Sequence, residues 1–286
     1  MADFKAAVVQ MRATTDIESS LASAGALIRE AAAGGAHYVQ TPEMTNILQL
    51  DSKALFSTIQ TEEGNRGLVA MQALAAELGI WLHIGSMSIK LEAARAANRA
   101  FLIAPSGQVA ARYDKIHMFD VDLAGGERYR ESKVYRPGDK AVVTDLPWGR
   151  LGLSICYDLR FPQLYRSLAT AGAEILAIPA AFTRQTGQAH WHVLQRARAI
   201  ETGSFVLAAA QGGDHEDGRS TYGHSLIVNP WGEVMAEIDG DEPGIAFAEI
   251  DLAEVAAARG RVPSLANGRP FTLEESRPDA GLKVVS

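Results

Sequence analysis

The chain has 286 residues, 47% of them hydrophobic and 21% charged, which is enough apolar material for a large core and a length that suits two domains or one large α/β unit. Its formal net charge is −7, with no basic stripe to gather phosphates by counterion release, so nucleic acid is excluded as an expected partner. No run of about 18 apolar residues occurs, and the N-terminus lacks the charged, apolar and small-residue blocks of a signal peptide, so the expectation is a soluble, cytoplasmic protein without a membrane partner.

Short β-branched or apolar runs alternate with Ala- and Leu-rich stretches of helical period, the pattern of α/β architecture. A strand at 6–10 leads to a helix at 17–33, a strand at 38–41, a helix at 68–78 and strands at 81–86 and 99–104. Then follow a strand at 151–155, a helix at 163–171, a strand at 175–179, a helix at 189–201, strands at 205–210, 225–229, 234–237 and 245–250, and a helix at 252–259. Gly34-Gly35, Gly79, Gly172 and Gly203 follow four of the helices as stop signals. No Pro/Ser-rich linker, composition shift or repeat interrupts the alternation, which predicts one domain over 1–286. From about residue 263 the pattern fades into a tail that either drapes over the body or packs on a partner subunit. Two stretches resist assignment: 114–135, of mixed charge with Gly125-Gly126, and 212–219, rich in Gly and acid. A loop as long as the first, inside a compact domain, is usually functional.

Cys156 is the only cysteine, which rules out an intrachain disulfide, a Cys-rich zinc site and a Cys-x-x-Cys redox pair. It ends an apolar strand and precedes a turn into a helix near Phe161-Pro162, a position from which a nucleophile projects outward while backbone N–H groups face a developing oxyanion. A buried, inert thiol fits the same pattern. Glu43 ends the strand at 38–41, with Pro42 fixing the local turn, and Lys115 stands among apolar residues at the start of the unassigned loop. Each is also compatible with a solvated cap or a surface ion pair.

Together, Thr41-Pro42-Glu43, Asp114-Lys115-Ile116-His117 and Ser154-Ile155-Cys156-Tyr157-Asp158-Leu159-Arg160-Phe161-Pro162 resemble the Glu, Lys and Cys motifs of the nitrilase (carbon–nitrogen hydrolase) superfamily, in that family's order. The likeness continues through Ala189-His190-Trp191, Tyr222-Gly223-His224-Ser225 and Asn229-Pro230-Trp231-Gly232, which resemble the Nit branch, and spans about residues 5–263. It implies a nitrilase-like four-layer α-β-β-α sandwich that assembles as a homodimer or higher homo-oligomer. It also implies a second glutamate on the loop after the lysine, which falls by spacing on Glu131, with Glu127 a near rival.

The resemblance assigns roles. Glu43 takes the thiol proton, Cys156 attacks an amide carbonyl, and Lys115 with the Tyr157 backbone N–H holds the oxyanion, while Glu131 orients Lys115 or the substrate. No cofactor or metal is needed. A free thiol near pKa 8.5 facing a carboxylate near 4.3 leaves a gap of about four units, or roughly 6 kcal/mol. Burial that raises Glu43 and an ammonium that lowers Cys156 are the expected ways to close it.

Other polar groups compete for attention. His117 or His190 would activate Cys156 in a papain-like arrangement. His190-Trp191-His192 has its histidines at i and i+2, which diverge on a helix, and Asp214-His215-Glu216-Asp217 reads as a solvated acidic turn, so neither reads as a metal site. Arg184, after the strand at 175–179, is the candidate for a substrate carboxylate, with His190 beside it. The expected reaction is hydrolysis of a small carboxylate-bearing amide, deaminated glutathione first, with release of ammonia. Omega-amidase, N-carbamoyl amidase or nitrilase activity is the alternative, and a non-catalytic ligand-binding pseudo-enzyme is the reading from a different class.

Overall fold

A computed structural model describes residues 3–124, 126–275 and, for the backbone, 283–285. The first half runs β1 (Phe4–Gln10), α1 (Ile17–Ala33), β2 (Tyr38–Gln40), α2 (Ser52–Thr58), α3 (Arg66–Leu78), β3 (Trp81–Glu92), β4 (Arg95–Ile103) and β5 (Val109–Asp114). A small hairpin, β6 (Asp120–Asp122) and β7 (Arg128–Arg130), and a 3₁₀ turn at Glu131–Lys133 lead to the second half. There β8 (Val142–Asp145) and β9 (Arg150–Leu153) precede a 3₁₀ turn at Cys156–Arg160, α4 (Pro162–Thr170), β10 (Ile175–Ala177), α5 (Arg184–Thr202) and β11 (Phe205–Ala208). The hairpin of β12 (Gly212–Asp214) and β13 (Ser220–Tyr222) follows, then β14 (Leu226–Val228), β15 (Val234–Glu237), β16 (Gly244–Ile250), α6 (Ala253–Arg261) and the pair β17 (Leu273–Glu275) and β18 (Lys283–Val285).

Two six-stranded sheets form, ordered β16-β1-β2-β3-β4-β5 and β8-β9-β10-β11-β14-β15. Each has three parallel strands, one antiparallel strand on one side and an antiparallel pair on the other. Alternation along β1 explains the layering: Ala6 and Val8 face the second sheet, and Ala7 and Val9 face the helices. α1 buries Ser20, Ala24, Ile28 and Ala31, one stripe at helical spacing, and α3 buries Leu68, Met71, Leu74 and Ala75 against the same sheet. On the far side α4 and α5 cover β9, β10 and β11, whose residues, Arg150 at the start of β9 aside, are buried on both faces and therefore read as apolar runs. The order helix, sheet, sheet, helix is the expected four-layer α-β-β-α sandwich.

The misread elements have local causes. α5 begins at Arg184, five residues before its expected start, because its first turn is polar and holds Gly187; a β-carbon there would collide with the Tyr222 ring. Thr183 caps that turn. β5 and β8 are exposed edge strands with too few buried positions to show a period. Gly79 and Gly203 do end α3 and α5, both in the left-handed conformation that glycine adopts without penalty. The start of the tail drapes over the body, where Ser264 Oγ donates to the Glu201 carbonyl and Arg166 reaches the Leu265 carbonyl, whereas Phe271 is fully in solvent. Residues 276–282 and 286 of the tail lie outside the described residues.

Candidate active site

The first sheet delivers Glu43. After β2 the chain turns at Pro42, and the turn is stapled: Thr45 Oγ1 donates to the Pro42 carbonyl at 2.7 Å and Gln211 Nε2 to the Glu43 carbonyl at 2.9 Å. Met44 sits at φ +58°, a strained value for a side chain of its size. The Glu43 carboxylate is buried and accepts from Lys115 Nζ and Asn98 Nδ2, both at 2.8 Å on Oε1, and from the Ala181 N–H at 2.9 Å on Oε2.

The second sheet delivers Cys156. It follows β9 with φ +50°, so the chain reverses sharply at the thiol and the side chain points out of the strand end into a cavity. Its N–H is held by the Pro179 carbonyl at 2.8 Å. Two residues on, the fully buried Asp158 takes four hydrogen bonds: from the Ile155 N–H, the Tyr113 hydroxyl, and the N–H and Nδ1 of His117. One carboxylate thereby locks the cysteine turn to the segment that carries Lys115. Among the described residues no acceptor takes the Tyr157 N–H.

Lys115 follows β5 and is buried. Its ammonium contacts Glu43 and both oxygens of Glu131, at 3.0 and 2.9 Å. Glu131 opens the 3₁₀ turn after the β6–β7 hairpin and is fixed by the Phe119 N–H at 2.7 Å. Asn98, on β4, donates its amide to both carboxylates, at 2.8 Å to Glu43 and 3.1 Å to Glu131. Two carboxylates this close are a donor set for a divalent cation, but here an ammonium and an amide bridge them.

Protonation departs from the sequence expectation. Burial pushes the Glu43 carboxyl up, but Lys115 and the hydrogen bonds around it outweigh burial and hold it below its ordinary value. Burial pushes the Cys156 thiol well up, and the Glu43 charge pushes it further, against the weaker pull of Lys115. Burial opposes the Lys115 charge, yet Glu131 and Glu43 hold the ammonium well above its ordinary range. Both shifts expected for Glu43 and Cys156 are thus reversed. The ammonium touches the carboxylate directly, whereas for a second anion on sulfur the pull of Lys115 and of the Ala181 N–H is outweighed by burial and by the Glu43 charge. The resting site is an ion pair beside a neutral thiol.

Glu43, Lys115, Glu131, Cys156 and Tyr157 line one cavity of about 270 Å³. Arg128, Arg130 and Arg219 stand in its wall as well. Arg184 does not line it: its guanidinium is spent on Asp214 at 3.1 Å and Asp241 at 2.9 Å. His190 is an exposed residue on α5 whose Nδ1 lies 3.2 Å from Arg160, also outside the cavity wall. Glu127 bonds the Tyr129 hydroxyl and is not in the wall, which separates it from Glu131. His117 is stacked on Phe161 and tied to Asp158, so neither histidine stands where it would activate the thiol. The 214–217 stretch is a solvated turn only in part: Asp214 and Glu216 are exposed, but His215 is buried between the Ala13 carbonyl and Thr221, and Asp217 clamps Arg219. Sequence reading missed Asn98, Asp158 and the Ala181 N–H; the only hint was the position of Asp158 inside the cysteine motif.

The carbon–nitrogen hydrolase family pattern matches residues 5–260. The chain is 40% identical over 269 residues to a deaminated glutathione amidase from Synechocystis, covering 93% of this chain and 98% of that protein. It is 34% identical to a human omega-amidase, covering 97% of this chain and all of that one. Among solved structures, the Caenorhabditis elegans NitFhit protein superimposes with a TM-score of 0.87 at 35% identity, over 97% of this chain and 70% of that one. Saccharomyces cerevisiae Nit3 gives 0.81 at 27%, over 91% and 94%.

Proposed function

The chain belongs to the carbon–nitrogen hydrolase family and is an amidase, and from that premise we propose that it removes the terminal carboxamide of deaminated glutathione as ammonia, through a thioester on Cys156. The observation that carries this reading is the buried Glu43–Lys115–Glu131 cluster sharing one cavity with the cysteine. Arg128, Arg130 and Arg219 add positive charge to the same wall, which suits a substrate that bears carboxylates, although Asp122 pairs with the first two and Asp217 with the third and a substrate would share them.

As substrate enters, sulfur attacks the carboxamide carbon while the thiol proton passes to Glu43. The two events are concerted, because a free thiolate beside Glu43 is costly. The oxyanion takes hydrogen bonds from the Lys115 ammonium and the Tyr157 N–H; losing one such donor typically costs about 10²–10³ in rate. Glu43 then gives its proton to the departing nitrogen, and ammonia leaves. Glu43 next deprotonates a water that attacks the thioester carbonyl; collapse releases the carboxylic acid product, and the proton on Glu43 returns to sulfur. Glu131 and Asn98 hold Lys115 and Glu43 at a fixed separation throughout.

The identity to the human omega-amidase makes alpha-ketoglutaramate or alpha-ketosuccinamate the second reading. Ammonia release from deaminated glutathione and from alpha-ketoglutaramate, compared as kcat/KM on one preparation, decides between them. A preference for the second substrate overturns the first reading. Turnover of neither, with Cys156 still alkylated by iodoacetamide, overturns both substrates and leaves the chemistry. Cys156→Ala is expected to abolish ammonia release while keeping the fold. The same proposal places the enzyme in the cytoplasm as a homodimer. In support, Val193 and Ile200 on α5 and Trp231 beside them form an exposed apolar face, and light scattering tests the dimer.

A further inference from the structure

Outside the cavity, three side chains from three elements meet. His192 lies on α5, His224 in the turn between β13 and β14, and Glu237 at the end of β15. His192 Nε2 and His224 Nδ1 each stand 2.8 Å from the same oxygen, Glu237 Oε1, and the three ligand atoms all lie within 4.8 Å of one another. His190 plays no part, since it diverges toward Arg160 as its spacing requires.

The backbone is shaped to hold this cluster. His224 adopts φ +54°, a left-handed conformation that costs a residue bearing a β-carbon. It is pinned there by its N–H on the Gly240 carbonyl, by Trp191 Nε1 on its own carbonyl at 2.8 Å, and by the Tyr222 ring stacked on the imidazole at 4.3 Å. The side chains are 33%, 19% and 29% exposed, open enough for an ion to enter and covered enough to fix both rings.

We propose that His192, His224 and Glu237 form a binding site for a divalent transition-metal ion, Zn²⁺ foremost, with water completing the shell. Two imidazole nitrogens and one carboxylate oxygen are a donor set that Zn²⁺ accepts in open four-coordinate sites. Bonds of about 2.0–2.1 Å would set the donors roughly 3.3 Å apart, a small adjustment of the rings from their present contacts. In the metal-free cluster a neutral ring donates its N–H to Glu237. The ion replaces that hydrogen: the proton moves to the ring's other nitrogen, His192 Nδ1 or His224 Nε2, and the freed lone pair binds. A protonated ring must release its proton before it can bind the ion, so protons compete with the metal for the site. The bound ion clamps α5 to the β14–β15 edge. Trp191, hydrogen-bonded to His224, packs 5.1 Å from Phe182 in the cavity wall, so the clamp stiffens that wall from behind.

The test is calorimetric titration of the untagged, chelator-stripped full chain with ZnCl₂, alongside the visible spectrum with Co²⁺ and the thermal midpoint, for the unchanged chain and for His192→Gln, Glu237→Gln and Cys156→Ala. One Zn²⁺ per chain, a raised midpoint and a four-coordinate Co²⁺ spectrum are expected, all retained in Cys156→Ala. His192→Gln and Glu237→Gln should each lose at least roughly tenfold in affinity while keeping metal-free ammonia release. Affinity unchanged in both variants, or abolished by Cys156→Ala, overturns the proposal, the latter because the ion then sits on the active thiol. Absence of binding in the unchanged chain overturns it too.

Discussion

The two halves of the site rest on different foundations. Glu43, Cys156 and the Ala181 N–H stand at strand ends over the shared core of the two sheets, and two of the turns that present them carry strained backbone, at Met44 and Cys156. Lys115 and Glu131 arrive on the arm between β5 and β8, a hairpin and a 3₁₀ turn with polar, half-exposed surroundings. The strand-end half is held by burial of its neighbours. The arm is held by hydrogen bonds to two carboxylates, Asp158 beneath and Glu131 at its tip. In the proposed mechanism, the groups that make and break bonds therefore sit on the stiffer foundation, and the groups that supply charge sit on the more adjustable one.

Variants can break this contrast, and the largest effect belongs to the strand-end half. Glu43→Gln retains shape but removes the proton acceptor and one of two anions on Lys115; kcat for ammonia release should fall by about 10²–10⁴-fold. Asp158→Ala attacks the seam between the halves. It leaves the Ile155 and His117 N–H groups and the Tyr113 hydroxyl buried without an acceptor, so urea unfolding should register a loss on the order of 3 kcal/mol, with activity falling alongside. An unchanged midpoint would show that the halves are independent. Glu131→Gln touches the arm alone and should lower kcat by roughly 10–10², with stability nearly intact, because Glu43 still holds the ammonium. A loss equal to that of Glu43→Gln would erase the distinction drawn here.

The smallest effect is a displacement on the pH axis. Since burial and Glu43 raise the Cys156 thiol, less thiolate is present at a given pH than on a free cysteine near 8.5, and alkylation by iodoacetamide should accelerate only at higher pH than that. Glu43→Gln removes the neighbouring anion, so the rise should move back toward lower pH. Movement in the other direction would mean that Lys115, not Glu43, dominates the field at sulfur.

The amino-acid sequence made much of this legible. α1 was readable residue for residue because Asp16 caps it, its apolar stripe is regular and a glycine pair ends it. The buried parallel strands were readable as apolar runs, and Glu43, Lys115, Cys156 and Glu131 stood out through motif order. The arm was not readable: β6 and β7 are three-residue strands of mostly charged side chains around one central Val121 and one central Tyr129, and nothing local shows that such a hairpin folds back to hand Glu131 to Lys115. Arg184 looked available because sequence reports a strand end nearby but not the two aspartates, 30 and 57 positions away, that claim it.

By itself, then, the sequence determined the layers of the sandwich, the family and the residue types of the chemistry, because periodicity, caps and motif order are properties of neighbours along the chain. Only the tertiary structure decided which way the proton rests between Cys156 and Glu43, which arginines face the cavity, and that His192 meets His224 and Glu237. Those outcomes depend on distances across the fold, where burial and a charge at 2.8 Å set the sign of a shift that no local pattern encodes.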